Sequence, residues 1–484
     1  MGRNYNRDLF KHIEELKQSL ISLEGKFSTY RTEATEKIEE LTVQVENLTQ
    51  ENQKLRVDNE RLKRIINNDS SNSSLPPSSD QKPTKRANSY NSRERSGKAS
   101  GGQTGHKGKT LSCEKIQKLL SLGNCEHHIE DIGDTGQKYV SRYVVDIESR
   151  LVIREFRIHA DAHGVYSIPP SLNSTVTYGN GVKALCVALR YKGDISLNRT
   201  TELLNDIAGN QLEISEATVS NILETFSGQC EPLIEKICET LRNSEVIYTD
   251  STSVTVNGRQ EYIRNQSTPD VVLYTSMARK SIEELKKCPV LNEYTGVLVH
   301  DHETALYNFG TKHAECGAHI LRYLKKNSEE TKHSWSTEMM EFLAECNRHH
   351  KNSILKDGIP LAKTKEWQIF SERYDKLLAK GRKENSMLAF SIAKKEEITL
   401  LNRLTAYKNN HLLFAQRNDV DFTNNLSERD LRKCKNRQKV SGGFRTPQGK
   451  CEFCAAKSVI ETIRRSGQSV LDAIRKILSD PVMN

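Results

Sequence analysis

The sequence predicts a multidomain α+β protein, and three observations support this fold class. The chain has 484 residues, which at about 100 to 200 residues per domain allows two to four folded units. Its apolar residues follow a helical period, then a strand-like pattern, and then a helical period again. A polar stretch rich in Ser, Gly, Lys and Arg separates the first helical segment from the remainder. The domain boundaries expected from these changes are 1–67, 68–111, 112–170, 171–243, 244–440 and 441–484.

The charge balance is basic, and the cysteine usage is typical of a reducing compartment. Lys and Arg number 72 against 63 Asp and Glu, which gives a formal net charge of +9 and favours a polyanionic partner. The 11 Cys are an odd number scattered along the chain. The N-terminus lacks the apolar core of a signal peptide, and no stretch approaches roughly 18 consecutive apolar residues. We therefore expect a cytoplasmic protein.

Residues 1–67 are predicted to form an N-terminal coiled coil. Apolar residues follow a heptad pattern from Ile38 to Ile66, with Leu at every d position and with Asn52 and Asn59 at two of the a positions. An Asn at position a favours a parallel dimer in one register. We therefore expect a homodimer or a higher oligomer. A single long helix packed on its own chain is the alternative.

Residues 68–111 are predicted to be a disordered basic linker, because their mixture of Ser, Gly, Pro and charged residues cannot bury enough apolar surface to fold. Between Lys82 and Lys109 the segment carries eight Lys and Arg and a single acid, Glu94. Such an arm can neutralise phosphates along a nucleic acid, so Lys107 and Lys109 are candidate DNA-binding residues. A merely solvated tether is the alternative.

Two small regions follow the linker. In 112–170 the runs KYVSRYVVDI and RLVIREFRIH predict strands around a turn, close to several Cys and His. In 171–243 the segments ISLNRTTELLNDIAG and ISEATVSNILETF predict a helix-turn-helix-like pair, with Ser215 capping the second helix. Residues 215–220 are candidates for reading DNA, and plain helical packing is the alternative. The apolar face expected for the pair comprises Leu203, Ile207, Val219 and Ile222.

After residue 244 the pattern becomes that of a sheet. EVIYTDSTSVTVNG ends in Asn257-Gly258, a strong hairpin signal, and EYIRNQ, DVVLYTSM and GVLVHD supply three more strands. KSIEELKKC predicts a short helix before the fourth strand. Three antiparallel strands, a crossover helix and a parallel fourth strand form the core order of a ribonuclease H-like α/β domain. We expect a helical insertion in this domain over about 328–411, and further helices over 441–484.

Two carboxylates follow predicted strands, and a third lies on a later helix. Asp250 comes after Val-Ile-Tyr-Thr, Asp301 comes after Val-Leu-Val-His, and Glu428 shares a helix face with Arg432 and Lys435. Three oxygen donors around one point suit Mg²⁺ or Mn²⁺, and two such ions about 3.5 to 4 Å apart can act on a phosphodiester. Arg432 and Lys435 would then hold the DNA backbone. Taken singly, each acid reads better as a solvated or capping residue, but the strand order and the basic helix together favour catalysis.

The sequence also resembles a known family. The stretches SLPPSSD, GGQTGHKGKTL, GVLVHDHETALY, HAECGAHILRYLK and NNLSERDLRKCKNRQKVSGGF, with the Asp250 strand, are similar to insertion-sequence-66 family transposases of the TnpC type, which are DDE transposases. The resemblance covers nearly the whole chain beyond the coiled coil. It implies a catalytic triad at Asp250, Asp301 and Glu428 and a DNA-contacting Lys435. The family often has Asp-Glu-Thr where this chain has Asp-Ser-Thr.

A second motif implied by the resemblance follows the second Asp of the triad. His313, Cys316 and His319 form H-x-x-C-x-x-H, and on a single helix these residues would spread over about 120°. They would then not easily close a tetrahedral zinc site by themselves. We interpret them as a polar strip near the active site, with His319 and Arg322 as candidate DNA contacts. Side chains satisfied within the core are the alternative.

The resemblance further implies a zinc-finger-like region within 112–170. Cys125 and His128 match the position of the family's first zinc pair, and His163 matches the end of the second. Ala160 stands where another Cys is expected, so His159 or Asp161 would have to supply the fourth ligand. The candidate Zn²⁺ ligands are therefore Cys125, His128, His159 and His163.

These features together favour an enzyme that cuts and joins DNA at the ends of a mobile element, using two Mg²⁺ or Mn²⁺ ions. Its expected partners are the terminal inverted repeats, target DNA, a second copy of the chain and, as the resemblance implies, accessory proteins encoded by the element. A non-catalytic dimeric DNA-binding protein derived from a transposase is the main alternative. A structure-selective nuclease would explain the triad but neither the long zipper nor the three DNA-binding segments.

Overall fold

The structure is a computed structural model that describes residues 2–67, 111–123, 125–130, 132, 140–147, 149–388 and 391–479. Lys107 and Lys109 lie outside these residues. The chain divides into two compact units. The helical unit comprises 1–87, 321–342 and 369–406, and the sheet unit comprises 88–320, 343–368 and 407–484. In the part of the chain that is described, none of the helices has the length and apolar character needed to cross a membrane.

The first helix, α1 (Gly2–Asn67), confirms the long N-terminal helix that the heptads predict. Its heptad Leu side chains face solvent in the single chain, with Leu48 64% and Leu55 61% exposed. An apolar stripe of this kind is what a partner helix covers in a coiled coil. The pairing of two such helices stays a prediction.

The region 111–170 contains one described helix, α2 (Cys113–Ser121), which Ser112 caps by accepting a hydrogen bond from the Lys115 amide. The two strands predicted from KYVSRYVVDI and RLVIREFRIH are wrong for the described residues 140–147 and 149–159, where no strand forms. Their apolar side chains face solvent, as Val144 and Ile153 show at 94% and 88% exposed. A register needs a buried face to specify it, and these segments have none.

Four helices build the region after residue 179: α3 (Asn180–Val187), α4 (Leu197–Ile207), α5 (Glu216–Gln229) and α6 (Glu231–Arg242). The predicted pair corresponds to α4 and α5, and Ser215 caps α5 as expected, accepting from the Thr218 amide at 3.2 Å. Leu203 is exposed, however, and Leu204 is buried in its place. Successive side chains on a helix point about 100° apart. The buried face of α4 is therefore rotated by about one residue from the face that was expected. Ile207 is exposed as well, whereas Val219 and Ile222 are buried as predicted.

A mixed five-stranded sheet follows, consisting of β1 (Val246–Val256), β2 (Arg259–Ser267), β3 (Val272–Met277), β4 (Val297–His300) and β5 (Lys312–Glu315). Its order is β3-β2-β1-β4-β5, with the first three strands antiparallel and β1, β4 and β5 parallel. The short α7 (Ile282–Lys286) lies between β3 and β4. At the β1–β2 turn Asn257 and Gly258 have φ of +46° and +73°, as a type I′ hairpin requires.

This order confirms the four predicted strands and the crossover helix, and it is consistent with a ribonuclease H-like α/β domain. β5 was not predicted. Six helices follow it, the last two of four residues each: α8 (Gly317–Thr331), α9 (Ser334–Asp357), α10 (Trp367–Ser386), α11 (Ile392–Ala406), α12 (Lys408–His411) and α13 (Leu413–Gln416). They confirm the helical character predicted over 328–411, although α8 begins earlier. The first residue of α8, Gly317, has no room for a side chain, because an added Cβ would lie 2.3 Å from the Phe422 ring.

Three helices complete the chain: α14 (Asn425–Ser441), α15 (Pro447–Arg465) and α16 (Val470–Ile477). α14 packs on β1 and β2, and α15 packs on β3. The Tyr274 hydroxyl on β3 donates to the Asp430 carbonyl at 3.1 Å. These contacts hold α14, and with it Glu428, against one face of the sheet.

Candidate active site

Asp250 lies in the interior of β1, and not at the end of the strand as the sequence suggests. β1 continues to Val256, but its parallel pairing with β4 ends at Tyr248 opposite Val299. Asp250 is therefore level with the carboxyl end of β4, where parallel strands place ligands. Its backbone amide donates to Asn265 Oδ1 on β2 at 3.1 Å, and its Oδ1 accepts from the Ser251 amide at 2.6 Å.

Asp301 follows β4 directly, in a loop that a buried ion pair holds in place. Arg264 on β2 is fully buried and donates to both carboxylate oxygens of Glu303, at 2.6 and 2.7 Å. The same guanidinium donates to Thr249 Oγ1 on β1 at 3.2 Å. Both bonds to Glu303 come from the single nitrogen Nη2, and a charge-assisted hydrogen bond of this kind is stronger than a neutral one. The clamp therefore ties the loop that carries Asp301 to β1 and β2.

Glu428 lies in the first turn of α14, which is anchored beside Asp250. The Ser427 hydroxyl donates to Asn265 Oδ1 at 2.6 Å, and Asn424 Nδ2 donates to the Thr249 carbonyl at 2.9 Å. Glu428 Oε1 is buried, and among the described residues it has no hydrogen-bond partner. An unsatisfied buried carboxylate oxygen is costly unless a cation or a donor reaches it.

The three acids interact electrostatically, although among the described residues their oxygens do not form one set within 4.8 Å. Burial raises the pKa of Asp250, and the charge of Asp301 raises it further. Burial likewise raises the pKa of Asp301, to which the charges of Glu303 and Glu428 add. Like charges that converge in a partly buried site disfavour simultaneous ionisation. Carboxylate oxygens are the donors that hard divalent cations take, so the chemistry of these three side chains fits Mg²⁺ or Mn²⁺.

His319 and Cys316 lie close to this carboxylate site. His319 Nε2 is 3.5 Å from Asp301 Oδ2. One ligand atom from each of Cys316, His319 and Glu428 lies within 4.8 Å of the others. The expectation that H-x-x-C-x-x-H occupies one helix is wrong, because His313 belongs to β5 and its ring contacts that of His300, with 3.2 Å between their nitrogens.

The candidate DNA-binding cations have different surroundings. Arg432 and Lys435 are exposed on α14, four and seven residues after Glu428, and within the described part of the chain no ion pair engages either of them. Arg322 is half-buried on the portion of α8 that belongs to the helical unit. His319 is 7% exposed, so that it is placed to orient Asp301 more directly than to contact DNA.

The four candidate zinc ligands are exposed side chains that the structure does not bring into one set of close ligands among the residues described. His128 Nε2 lies 3.6 Å from a Glu126 carboxylate oxygen. Asp161 Oδ1 accepts from the amides of His163 and Val165 at 2.8 and 2.9 Å, which stabilises a turn. Zinc binding by Cys125, His128, His159 and His163 stays a prediction.

Sequence reasoning missed the polar residues that support the acids. Asn265 is fully buried on β2 directly opposite Asp250, and Asn424 is 1% exposed before α14. The signal was available in part, because Asn and Gln in the interior of a predicted central strand are unusual. Their partners depend on the tertiary register, which the sequence alone does not supply.

Comparison with known proteins now adds to this geometry. A family model described as Transposase IS66 family matches residues 175–451, more than half of the chain. The chain belongs to the IS66 transposase family. A second model, for a family of unknown function (DUF6444), matches residues 26–112. The comparison with curated proteins gives no match. The family match spans α3 to the start of α15, so it includes the whole sheet and the three acids, and membership implies DNA transposition.

Proposed function

We propose that this IS66 family member cleaves and joins DNA strands at the ends of an insertion sequence, with Asp250, Asp301 and Glu428 as its catalytic acids. The observation that carries the proposal is the placement of these acids around the carboxyl end of β4, where the charge of Asp301 acts on Asp250 and that of Glu428 acts on Asp301. There two carboxyl groups have raised pKa values, and Glu428 presents a buried oxygen that has no hydrogen-bond partner among the described residues.

The three carboxylates are the residues that would hold Mg²⁺ or Mn²⁺. When bound, two such ions stabilise the attacking and the leaving oxygen of a phosphodiester. The remaining roles belong to the chain itself. Asn265 holds the Asp250 backbone and the first turn of α14 together, and the Arg264–Glu303 pair holds the loop that carries Asp301. This support fixes the positions of the acids before DNA arrives.

DNA would reach the acids along the exposed face of α14. Arg432 and Lys435 lie one and two turns beyond Glu428 on that face, where they are placed to contact phosphates. The first turn of α5, over 215–220, and the basic arm from Lys82 to Lys109 would add sequence reading and non-specific affinity, respectively. Dimerisation through the heptads of α1 would hold two element ends together.

The test is incubation of the purified full-length protein with duplex DNA carrying the element ends and Mg²⁺ or Mn²⁺, scored for nicked and joined strands. Asp250→Asn, Asp301→Asn and Glu428→Gln should each lower cleavage by roughly a thousandfold, because the lost stabilisation is several kcal/mol. Asp270→Asn, an exposed acid between β2 and β3, is the matched control and should cleave normally.

The same assay separates the alternative. A protein that binds the ends specifically, yet neither nicks nor joins them with either metal, would be a DNA-binding descendant of a transposase. Retention of cleavage by Glu428→Gln would remove Glu428 from the triad.

A further inference from the structure

The junction between β5 and α8 brings a thiol and an imidazole to the carboxylate of Glu428. Cys316 is 1% exposed and His319 is 7% exposed. Their ligand atoms and one oxygen of Glu428 all lie within 4.8 Å of one another. The three side chains come from two distant parts of the sequence, so the cluster is a product of the packing of α14 beside the start of α8.

A thiol, an imidazole and a carboxylate together do not suit a hard cation, but they suit a softer one. Mg²⁺ takes oxygen ligands almost exclusively, whereas Zn²⁺ accepts thiolate, imidazole and carboxylate together. Tetrahedral Zn²⁺ with bonds of about 2.0 to 2.3 Å places its ligand atoms roughly 3.3 to 3.8 Å apart. From a spacing of at most 4.8 Å, the ligand atoms need to close by no more than about 1.0 to 1.5 Å, within the reach of side-chain rotation.

Two further contacts favour a cation here. Glu428 Oε1 is a buried oxygen that accepts no hydrogen bond from the described residues. Cys316 Sγ accepts the Asn424 backbone N–H at 3.2 Å, which is the kind of outer contact that steadies a ligating sulfur. Burial raises the pKa of the Cys316 thiol to about 12, and the charges of Glu428 and Asp301 add to the rise. The same negative potential attracts a divalent ion, which would displace the thiol proton to solvent.

We propose that Cys316, His319 and Glu428 bind one divalent cation of the Zn²⁺ class. Asp301 is placed to offer the fourth ligand, since its Oδ2 lies 3.5 Å from His319 Nε2. Because this site would take Glu428 and Asp301, two of the three proposed catalytic acids, Zn²⁺ bound there would compete with the catalytic cation for its ligands and inhibit cleavage. Only this inhibitory consequence rests on the proposed function; the binding itself does not.

Binding is tested on the full-length, metal-free protein with Co²⁺ as a spectroscopic substitute for Zn²⁺. The exposed Cys113, Cys125 and Cys451 are first changed to Ser, so that any thiolate signal comes from a buried sulfur. This parent should bind one Co²⁺ per chain with a thiolate-to-cobalt charge-transfer band, and excess Zn²⁺ should remove the band. Adding Cys316→Ser should abolish the band and weaken Co²⁺ binding at least about tenfold.

The matched control is Cys346→Ser in the same parent. Cys346 is fully buried on α9, and burial raises the pKa of its thiol to about 12 as well, but no His or acid forms a close ligand set with it among the residues described. It should retain the band. His319→Gln should keep the thiolate band at a weaker affinity, which provides a second test if Cys316→Ser does not fold.

Three results would overturn the site: no charge-transfer band in a folded parent, an unchanged band in Cys316→Ser, or an unchanged affinity in His319→Gln. Inhibition is then measured as the Zn²⁺ dependence of Mg²⁺-driven nicking, relative to each variant's own rate without Zn²⁺, and it should be weaker in Cys316→Ser. A cobalt band without any nicking would refute the proposed function alone. Nicking without the band would refute the zinc site alone.

Discussion

Two groups of carboxylates, one partly buried and one buried, each include a residue of α14, and they differ in what surrounds them. The carboxylate cluster, Asp250, Asp301 and Glu428, has raised pKa values at both aspartates and an unsatisfied oxygen on Glu428. The ion-pair cluster is defined as Asp430, Glu461, Lys433, Lys457 and Arg465, and its Asp430 lies only two residues after Glu428 on α14. Burial of an acid therefore does not indicate its role; the partners of its oxygens do.

In the ion-pair cluster every acid has cations and donors within reach. Asp430 pairs with Arg465 and accepts the Ser267 hydroxyl at 2.8 Å. Burial alone would raise the pKa of Glu461, but the hydrogen bond and charge of Lys433, together with Lys457, outweigh it and lower that pKa. Such pairs hold α14, α15 and β2 together. In the carboxylate cluster, burial and like charges instead raise the pKa values of both aspartates, which is expected where a ligand completes the site.

The largest expected difference between the clusters is in stability. Asp430→Asn leaves the Arg465 guanidinium, 8% exposed, buried without its carboxylate, and should lower the free energy of unfolding by about 3 kcal/mol. Glu428→Gln removes a charge from a group of repelling carboxylates and should leave stability unchanged or raise it. Urea unfolding in the absence of divalent cations measures both. If both variants lost the same free energy of unfolding, the two clusters would not differ in this way.

A smaller effect is expected at the clamp beneath Asp301. Glu303→Gln removes one of the two oxygens that Arg264 bonds, so the loop after β4 should hold its carboxylate less well. Outer contacts of this kind typically change metal affinity by roughly 10- to 100-fold. The Mg²⁺ concentration for half-maximal cleavage should rise by about that factor, with a smaller change in the maximal rate. Glu293→Gln, a surface acid near Arg242, should change neither.

How far the sequence could predict this arrangement depends on how local each signal was. The strands β1 to β4 and the turn at Asn257-Gly258 follow from alternation and turn chemistry, which are local. β5 was missed because it has only four residues and lies next to α8. Its residues were therefore assigned to the same helix as the rest of the H-x-x-C-x-x-H motif. The two strands expected from KYVSRYVVDI and RLVIREFRIH do not form in the described residues 140–147 and 149–159, because apolar alternation does not by itself supply the partner face that a strand needs.

The candidate site shows the same limit. The acids at 250, 301 and 428 could be proposed from strand ends and from the resemblance, and they stay proposals. The sequence could not separate Glu428 from Asp430, since both lie in one turn of α14. Their difference depends on Arg465, which is 35 residues away in the chain. Asn265 could not be placed either, because its position opposite Asp250 follows from the register of a folded hairpin.

The pH dependence of stability should have opposite signs in the two clusters. The raised pKa of Asp250 means that the folded protein holds this proton more tightly than the unfolded chain. Stability therefore falls as pH rises from the usual aspartate range through the raised pKa. Asp250→Asn removes that fall. At pH values above the raised pKa its free energy of unfolding should exceed that of the wild type by at least about 1 kcal/mol. In acid the two proteins should be equally stable.

Glu461→Gln provides the reverse case. Because the pKa of Glu461 is lowered, this residue stabilises the folded protein at pH values above the usual glutamate range. That stabilisation is lost as the pH falls through the pKa of Glu461 in the folded protein. The variant should lose stability at neutral pH and little in acid. Thermal unfolding of both variants between about pH 3 and pH 9, in a metal chelator, gives the comparison. Parallel pH profiles for Asp250→Asn and Glu461→Gln would contradict it.

The smallest effect separates two lysines on α14 that lie two positions apart. Lys435 is exposed and, within the described residues, unpaired, whereas Lys433 lies against Glu461 and 3.6 Å from Asp430. If α14 presents Lys435 to DNA, Lys435→Ala should weaken binding to element ends a few-fold and reduce the salt slope of log K by about 1, since one phosphate contact is lost. Its stability should not change.

Lys433→Ala should show the reverse pattern. Its stability should fall because Glu461 loses its main partner, and the salt slope of its DNA binding should stay the same. Binding titrations at several salt concentrations, with Lys476→Ala on α16 as an exposed control, decide between them. A salt slope that falls for Lys433→Ala and not for Lys435→Ala would mean that the DNA-facing and sheet-facing sides of α14 have been assigned the wrong way round.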